Sequence, residues 1–357
     1  MCPTGAIQEV DHTARVMQAL SDPKKTVVLQ TAPTVRVTLG ESFGGAPGDC
    51  SAEKLVGAAK SCGFDFVFDT NFAADLTIME EANELLKRIE VSQTGTDEEK
   101  AKMPLPMFTS CCPGWINLVE QSYPELIPHL SSCRSPQGML SSLIRHYWWP
   151  KKMWVNPVDA AAAADVDQSN LFVVSVMPCT AKKDEMSRKQ LGLDNGRGQE
   201  TDAVLTVRES KSDVPQFSSL SFFCLTSTSF LAVARLMELR GVAQRDDFQS
   251  FKDVPELPYD NPLGEGTGAA VIFGATGGVM EAALRTAADV LSGEDLEELK
   301  YQEVRGLAGI KESTVQLGRE KDISLNVAVA NQMKNVREFL DQIKQGNKDY
   351  RTLCYTR

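Results

Sequence analysis

The amino-acid sequence predicts an α/β fold with two lobes of largely parallel sheets flanked by helices. Three features carry that expectation. Short, apolar, β-branched runs at 26–29, 64–68, 107–109, 171–176, 269–273 and 325–330 have the length and composition of buried strands. Stretches of helical period at 76–89, 115–122, 280–291 and 336–344 lie between or after them, and strand–helix alternation marks parallel α/β layers. Every strong cysteine or glycine motif falls where one of these strands ends, which is where such folds gather ligands.

With 357 residues, 42% of them hydrophobic and 24% charged, the chain can bury a sizeable core and is long enough for about two domains or one large two-lobed domain. The division is expected in 157–170. There an alanine run from Ala160 to Ala164, flanked by aspartates, offers few anchoring apolar side chains. Lobes of about 21–160 and 170–350 follow. Residues 92–102 are polar and charged and are expected to form a loop. The segment 210–230 mixes serines with phenylalanines in neither helical nor strand period. It is read as sequence foreign to the fold, such as translated intron, ahead of a simple loop insertion, because a helical pattern resumes cleanly at 231–239.

The formal net charge of -11 disfavours nucleic acid and anionic membranes as partners, since both require a basic face. A local basic patch could still receive a small acidic redox protein. No apolar run approaches the roughly 20 residues of a membrane span, and Met-Cys-Pro-Thr-Gly-Ala-Ile at the start lacks the pattern of a signal peptide. The nine cysteines are scattered apart from one adjacent pair. That suits thiols in a reducing compartment, some of them metal ligands, better than a disulfide framework. His12, His129 and His146 show no metal-binding spacing.

The strongest local motif is Thr109-Ser110-Cys111-Cys112-Pro113-Gly114-Trp115. A strand ends, two thiols follow, and Pro-Gly opens a helix, whose N-terminus favours a thiolate. Successive side chains diverge on an extended backbone, so only one of the pair is expected to be a ligand. By itself the doublet fits two buried structural cysteines slightly better. A second thiol follows a strand in Met177-Pro178-Cys179-Thr180-Ala181-Lys182-Lys183-Asp184-Glu185, with Lys182 three residues on as charge compensation; alone it also fits a charged surface helix start. Gly274-Ala275-Thr276-Gly277-Gly278 permits close backbone approach but lacks the Lys-Ser/Thr ending of a phosphate loop. Cys2-Pro3 is similar to the end of a bacterial ferredoxin cluster motif without its three preceding cysteines.

Together these motifs resemble the FeFe-hydrogenase family. The resemblance runs from about Asp22 to Tyr350, outside 210–230. It also includes Gln30-Thr31-Ala32-Pro33, Phe68-Asp69-Thr70-Asn71-Phe72-Ala73-Ala74-Asp75, and the segments 131–137 and 273–285. It implies the reversible reduction of two protons by two electrons to dihydrogen. It also implies an H-cluster in the cleft between the lobes: a 4Fe–4S cubane joined to a di-iron unit carrying CO, cyanide and a bridging dithiolate amine. By resemblance, Cys112 and Cys179 hold the cubane and Cys111 exchanges protons with the bridging amine. Lys182 binds a cyanide. Ala32, Pro33, Thr34 and Gln137 line the di-iron pocket beside Met177; Thr34 replaces the family's usual serine. Protons pass from Cys111 through Glu81, Ser131 and Glu84, with Arg88, to the surface. Without the resemblance, Glu80 to Glu84 would be read as a solvated acidic face. Implied partners are a ferredoxin-type electron carrier and the maturation proteins, in a reducing, low-oxygen compartment such as cytoplasm, plastid or hydrogenosome.

One departure matters. The family's closing motif, Glu-x-Met-x-Cys-x-x-Gly-Cys, supplies two further cysteines, whereas here Gly346 to Tyr350 is followed by Arg351-Thr352-Leu353-Cys354-Tyr355-Thr356-Arg357. Cys354 does not stand in that pattern. The chain is therefore expected to be a truncated form, with residues 1–20 a remnant of a ferredoxin-like segment and linker, and to be inactive or nearly so as given. Two other readings compete. One is a non-catalytic hydrogenase-like assembly or sensor protein, which would usually lack the thiol at Cys111. The other is a metal-free α/β protein holding a nucleotide at the glycine loop.

Overall fold

Buried apolar strands drive the architecture, and their pairing sets which loops come together. In a computed structural model, residues 10–49, 52–153, 166–193, 198–206, 232–244, 247–261, 264, 266–275, 277–293, 302–303, 309–317, 323–346 and 352–356 are described. The Cys2 motif, the alanine run and the 210–230 segment lie outside them. Along the chain run α1 (Thr13–Ser21), β1 (Thr26–Thr31), α2 (Pro33–Thr38), α3 (Ala52–Cys62), β2 (Phe66–Asp69), α4 (Thr70–Thr94), α5 (Asp97–Lys102), β3 (Met107–Phe108), α6 (Pro113–Ser122) and α7 (Pro136–Leu143). Strands β4 (Leu171–Met177), β5 (Ala203–Thr206), β6 (Gln302–Glu303), β7 (Ile310–Leu317), β8 (Ile323–Asn331) and β9 (Thr352–Thr356) follow, with helices Ala181–Ser187, Ala232–Leu239, Ala269–Ile272, Gly278–Ser292 and Met333–Lys344 among them.

Two compact units result, Met1–Thr70 with Leu140–Glu265, and Asn71–Met139 with Gly266–Arg357. The sequence reading divides the chain once, near 160–170; the structure builds each unit from two separate stretches. Pairing is the reason: β1 lies against β4 from Thr26↔Leu171 to Thr31↔Val176, which unites residues on either side of the expected boundary.

In the first unit the described strands form a sheet in the order β2-β1-β4-β5, parallel throughout. All seven residues of β4 are buried, as expected for a parallel strand covered on both faces. In the second unit the order is β3-β9-β8-β7-β6; β3, β9 and β8 run parallel, and β7 and β6 add antiparallel strands. Here the period of two is visible in packing. Met107, Leu325, Val327 and Val329 share a core with Ala82 and Leu85 of α4 and Leu284 of helix Gly278–Ser292. Phe108, Ala328 and Ala330 share another with Trp115 of α6 and Phe339 of helix Met333–Lys344.

Two expectations are corrected. The apolar run 269–273 is not a strand; Ala269–Ile272 is a single helical turn. Asp75 accepts hydrogen bonds from the Thr267 amide and hydroxyl, and the Thr267 oxygen accepts the Ala269 amide at 3.2 Å, which starts the turn. Val271 is left 69% exposed, so the run lacks a sheet's burial. Residues 92–102 are not simply a loop. Helix α4 continues to Thr94, and α5 is fixed by a reciprocal capping box, Glu99 amide to Thr96 Oγ1 at 3.3 Å and Thr96 amide to Glu99 Oε2 at 2.8 Å. Strands β5, β6, β7 and β9 were not among those the sequence reading identified.

Both glycines opening helix Gly278–Ser292 are explained by packing. Gly277 has φ +84°, and a Cβ there would stand 2.8 Å from Val329 Cγ2; a Cβ on Gly278 would stand 1.7 Å from the Ile272 carbonyl oxygen. Close approach to Val329 and to the Ile272 carbonyl accounts for them. The Gly278→Ala substitution should destabilise the protein by at least about 2 kcal/mol through overpacking against backbone, read as a lower urea midpoint; an unchanged midpoint would refute this packing account.

Candidate active site

The first group of sequence-selected residues gathers around α4 in the second unit. Glu81, Glu84 and Arg88 are three and four residues apart and share one helix face. Arg88, 3% exposed, donates from Nε and Nη2 to Glu84 Oε1 at 3.0 and 2.7 Å. It also donates to the carbonyls of Pro104 at 2.8 Å, Pro128 at 3.1 Å and Leu130 at 2.8 Å. Glu84 Oε2 accepts from Ser131 Oγ at 3.0 Å, the Ser132 amide at 2.9 Å and Ser132 Oγ at 3.0 Å. Burial would raise the Glu84 pKa, but Arg88, Ser131 and Ser132 together hold it below the usual carboxylate value.

Glu81 is the opposite case. It is fully buried, and neither carboxylate oxygen closes a full hydrogen bond. Burial above all, aided by nearby Glu84, lifts its pKa to about 7 against the opposing influence of the Ser110 amide and the Ser131 hydroxyl. Two carboxyl groups one turn apart thus differ in protonation near neutral pH, a contrast that suits acid–base work.

The Cys111–Cys112 step lies between β3 and α6. Cys112 is the N-cap of α6 with extended backbone, φ -98° and ψ 109°, and its carbonyl accepts the Trp115 and Ile116 amides, each at 3.1 Å. Trp115 Nε1 donates to the Thr109 carbonyl at 3.0 Å and locks the turn. The two thiols part, as the sequence geometry requires. Cys111 packs beside the core of Ala82, Met107 and Met280, whereas Cys112 packs beside that of Phe108 and Trp115. Neither is in a disulfide. The segment from Leu130 is tied to β3 by the Ser131 amide donating to the Phe108 carbonyl at 2.7 Å. In the same unit, Gln137 is buried in α7.

The other group lies in the first unit, at the C-terminal ends of neighbouring parallel strands. Ala32 ends the run of β1, its amide donating to the Val176 carbonyl at 3.0 Å, and caps α2, with Pro33 at the first helical position. Pro33 and Thr34 are exposed there, and Met177 is buried at the end of β4. Cys179 is half-buried, its carbonyl accepting the Lys182 amide at 3.1 Å. Lys182 Nζ pairs with Glu185 Oε2 at 2.6 Å.

Residues 25–353 match the family described as iron only hydrogenase large subunit, C-terminal domain. The chain belongs to that family. It is 38% identical over 340 residues to the NADP-reducing hydrogenase subunit HndD of Solidesulfovibrio fructosivorans, covering 95% of this chain and 49% of that one. It spans about half the length of such curated hydrogenase relatives. The apo [FeFe]-hydrogenase HydA1 from Chlamydomonas reinhardtii superposes with a TM-score of 0.73 at 35% identity, covering 97% of this chain and 82% of that chain. A more distant relative is the cytosolic Fe-S cluster assembly factor narfl of Danio rerio, 27% identical over 337 residues, covering 93% of this chain and 69% of that one.

The donor chemistry of this hydrogenase-family chain fits an iron–sulfur group in kind. Cys112 stands at a helix N-terminus and Cys179 after a strand end, and thiolates are the ligands such clusters take. In number it falls short: among the described residues no group of three or more His, Cys, Asp and Glu is gathered to hold a metal. Sequence reasoning missed Ser132 and Cys133, which also face Glu84, Cys133 Sγ at 3.7 Å. Their only signal is adjacency to Ser131 within the 131–137 segment. Burial pushes the Cys133 thiol up to about 12, so it stays protonated.

Two outcomes follow from the carboxylates. Glu81 releases its proton near 4.5 when unfolded and near 7 when folded, so the folded state holds more protons in between. Stability therefore falls as pH rises through that window, by roughly 3 kcal/mol in total. The advantage of Glu81→Gln over wild type in urea midpoint should widen from pH 4.5 to 7 and then level off; a constant difference would show that Glu81 titrates as an exposed carboxylate. Replacing Arg88 by alanine leaves the part-buried Glu84 carboxylate without its counter-charge and should cost about 1.5–3 kcal/mol; a loss below about 1 kcal/mol, the range of exposed pairs, would contradict this.

Proposed function

We propose that residues 21–350 are the catalytic domain of an FeFe-hydrogenase, interconverting two protons and two electrons with dihydrogen in exchange with a ferredoxin-type carrier. The observation that carries this reading is Glu81: a fully buried carboxyl with a pKa near 7, one turn from an ionised Glu84 bonded to Ser131. A metal-free scaffold gains nothing from burying such a group, and burial without full hydrogen bonding is costly. In this proposal Glu81 takes and gives a proton near Cys111, Ser131 passes it by donating from Oγ while accepting at the same atom, and Arg88 keeps Glu84 ready to accept.

Cys112 and Cys179 would be two of the four cysteines that hold the 4Fe–4S cubane. Ala32, Pro33, Thr34, Met177 and Gln137 would line the di-iron subsite, and Lys182 would turn from Glu185 toward a cyanide ligand. When bound, the H-cluster supplies the electrons and the metal site at which protons and dihydrogen interconvert. Cluster insertion would need the family's maturation proteins and a reducing, low-oxygen compartment. Similarity to narfl favours a second reading, iron–sulfur assembly without catalysis; the presence of Cys111 together with Glu81, Ser131 and Glu84 weighs against it.

The test joins a Cys-x-x-Gly-Cys-bearing C-terminal segment of a hydrogenase to this chain, matures both versions anaerobically and measures dihydrogen evolution from reduced ferredoxin. The joined version should evolve dihydrogen and the chain alone little or none. A joined version that binds iron and sulfide without evolving dihydrogen would favour the assembly reading, and one that binds neither would refute both.

A further inference from the structure

The surface exit of the proton path is the question the geometry answers most specifically. Arg88 is the ion-pair partner of Glu84 on its helix, yet it is buried and its N–H groups are committed to Glu84 and to three backbone carbonyls. A guanidinium so tied, and never deprotonated, has no proton to pass. Glu84 Oε1 is occupied by that same side chain. Oε2 is different: it accepts one hydroxyl from the buried Ser131 and another from the exposed Ser132, each at 3.0 Å.

We propose that the Ser132 hydroxyl is the solvent-side proton gate of this path, handing protons from water to Glu84 Oε2 for onward transfer through Ser131. This rests on the hydrogenase reading of Glu81, Ser131 and Glu84. The transfer balances at every atom. A water-borne proton bonds to Ser132 Oγ as the proton already there leaves for Glu84 Oε2. The same Oε2 then gives its proton to Ser131 Oγ as Ser131 releases its own toward Glu81. Each hydroxyl gains one O–H bond and loses one, and no electrons move. Because both serines meet one oxygen, the carboxylate need not rotate between receiving and giving. The Cys133 amide donates to Ser131 Oγ at 3.1 Å, and the Ser131 hydroxyl, which donates to Glu84 at rest, turns toward Glu81 to release its proton.

The Ser132 amide also holds Oε2, so removing only the hydroxyl leaves Glu84 anchored. The experiment transfers the full chain, without cluster, into deuterated water below the Glu81 pKa and follows deuteration of the Glu81 carboxylic acid by infrared spectroscopy, its band assigned by its loss in Glu81→Gln. Ser132→Ala should slow deuteration at least about a hundredfold, the lower range of positioned proton transfer, while Ser132→Thr, which keeps a hydroxyl, should restore the wild-type rate. Wild-type exchange in Ser132→Ala, or a threonine variant as slow as alanine, would overturn the proposal. Ser131→Ala locates such a failure: if it slows exchange, only the gate is wrong, and if it too exchanges at the wild-type rate, the whole relay fails with it.

Discussion

The ion pair between the part-buried Glu84 and the buried Arg88 is the constraint on which the site region of the second unit depends. Through Arg88 it fastens α4 to the carbonyls of Pro104, Pro128 and Leu130, and through Glu84 it holds Ser131 and Ser132. Burying two charges is expensive, and mutual attraction offsets the cost only when the remaining donors and acceptors are also met. Here Arg88 is met by three backbone carbonyls, and Glu84 by the Ser132 amide with the Ser131 and Ser132 hydroxyls. The pair therefore fixes where the 131–133 segment lies beside β3, and with it which groups face Glu81.

That arrangement makes two neighbouring carboxyls unlike. Glu84 is surrounded by donors and stays charged, while Glu81, one turn away on the same face, is enclosed without a full hydrogen bond and keeps its proton to near neutral pH. The difference arises from burial and partners rather than from residue type. The adjacent cysteines divide in the same way. An extended backbone at Cys112 sends one thiol toward the core under α6 and the other toward the core under α4, so a single dipeptide can serve one ligand role and one proton role.

Much of this was legible in sequence, for identifiable reasons. The strand at 171–176 is apolar on both faces, and its neighbour at 26–29 likewise, because parallel strands leave no exposed face to confuse the pattern. Divergence of Cys111 and Cys112 follows from backbone geometry alone. The spacing of Glu81, Glu84 and Arg88 gives a shared face, yet only the family resemblance separates an enclosed pair of carboxyls from a solvated acidic face, since enclosure comes from the distant segment carrying Ser131. Strand β7 escaped notice because Lys311, Glu312, Ser313 and Thr314 are polar. The run 269–273 misled because a four-residue apolar turn and a short strand read alike, and Asp75, which supports the turn, lies 192 residues from Thr267.

The account turns on Cys112 and Cys179 binding iron while the Cys111 thiol remains uncoordinated. Thiol alkylation followed by peptide mass spectrometry, applied to the iron- and sulfide-loaded protein joined to a Cys-x-x-Gly-Cys-bearing segment, tests this most directly. Protection of Cys112 and Cys179 with modification of Cys111 is the expected pattern; protection of Cys111 with Cys112 modified, or equal modification of all three, would contradict it.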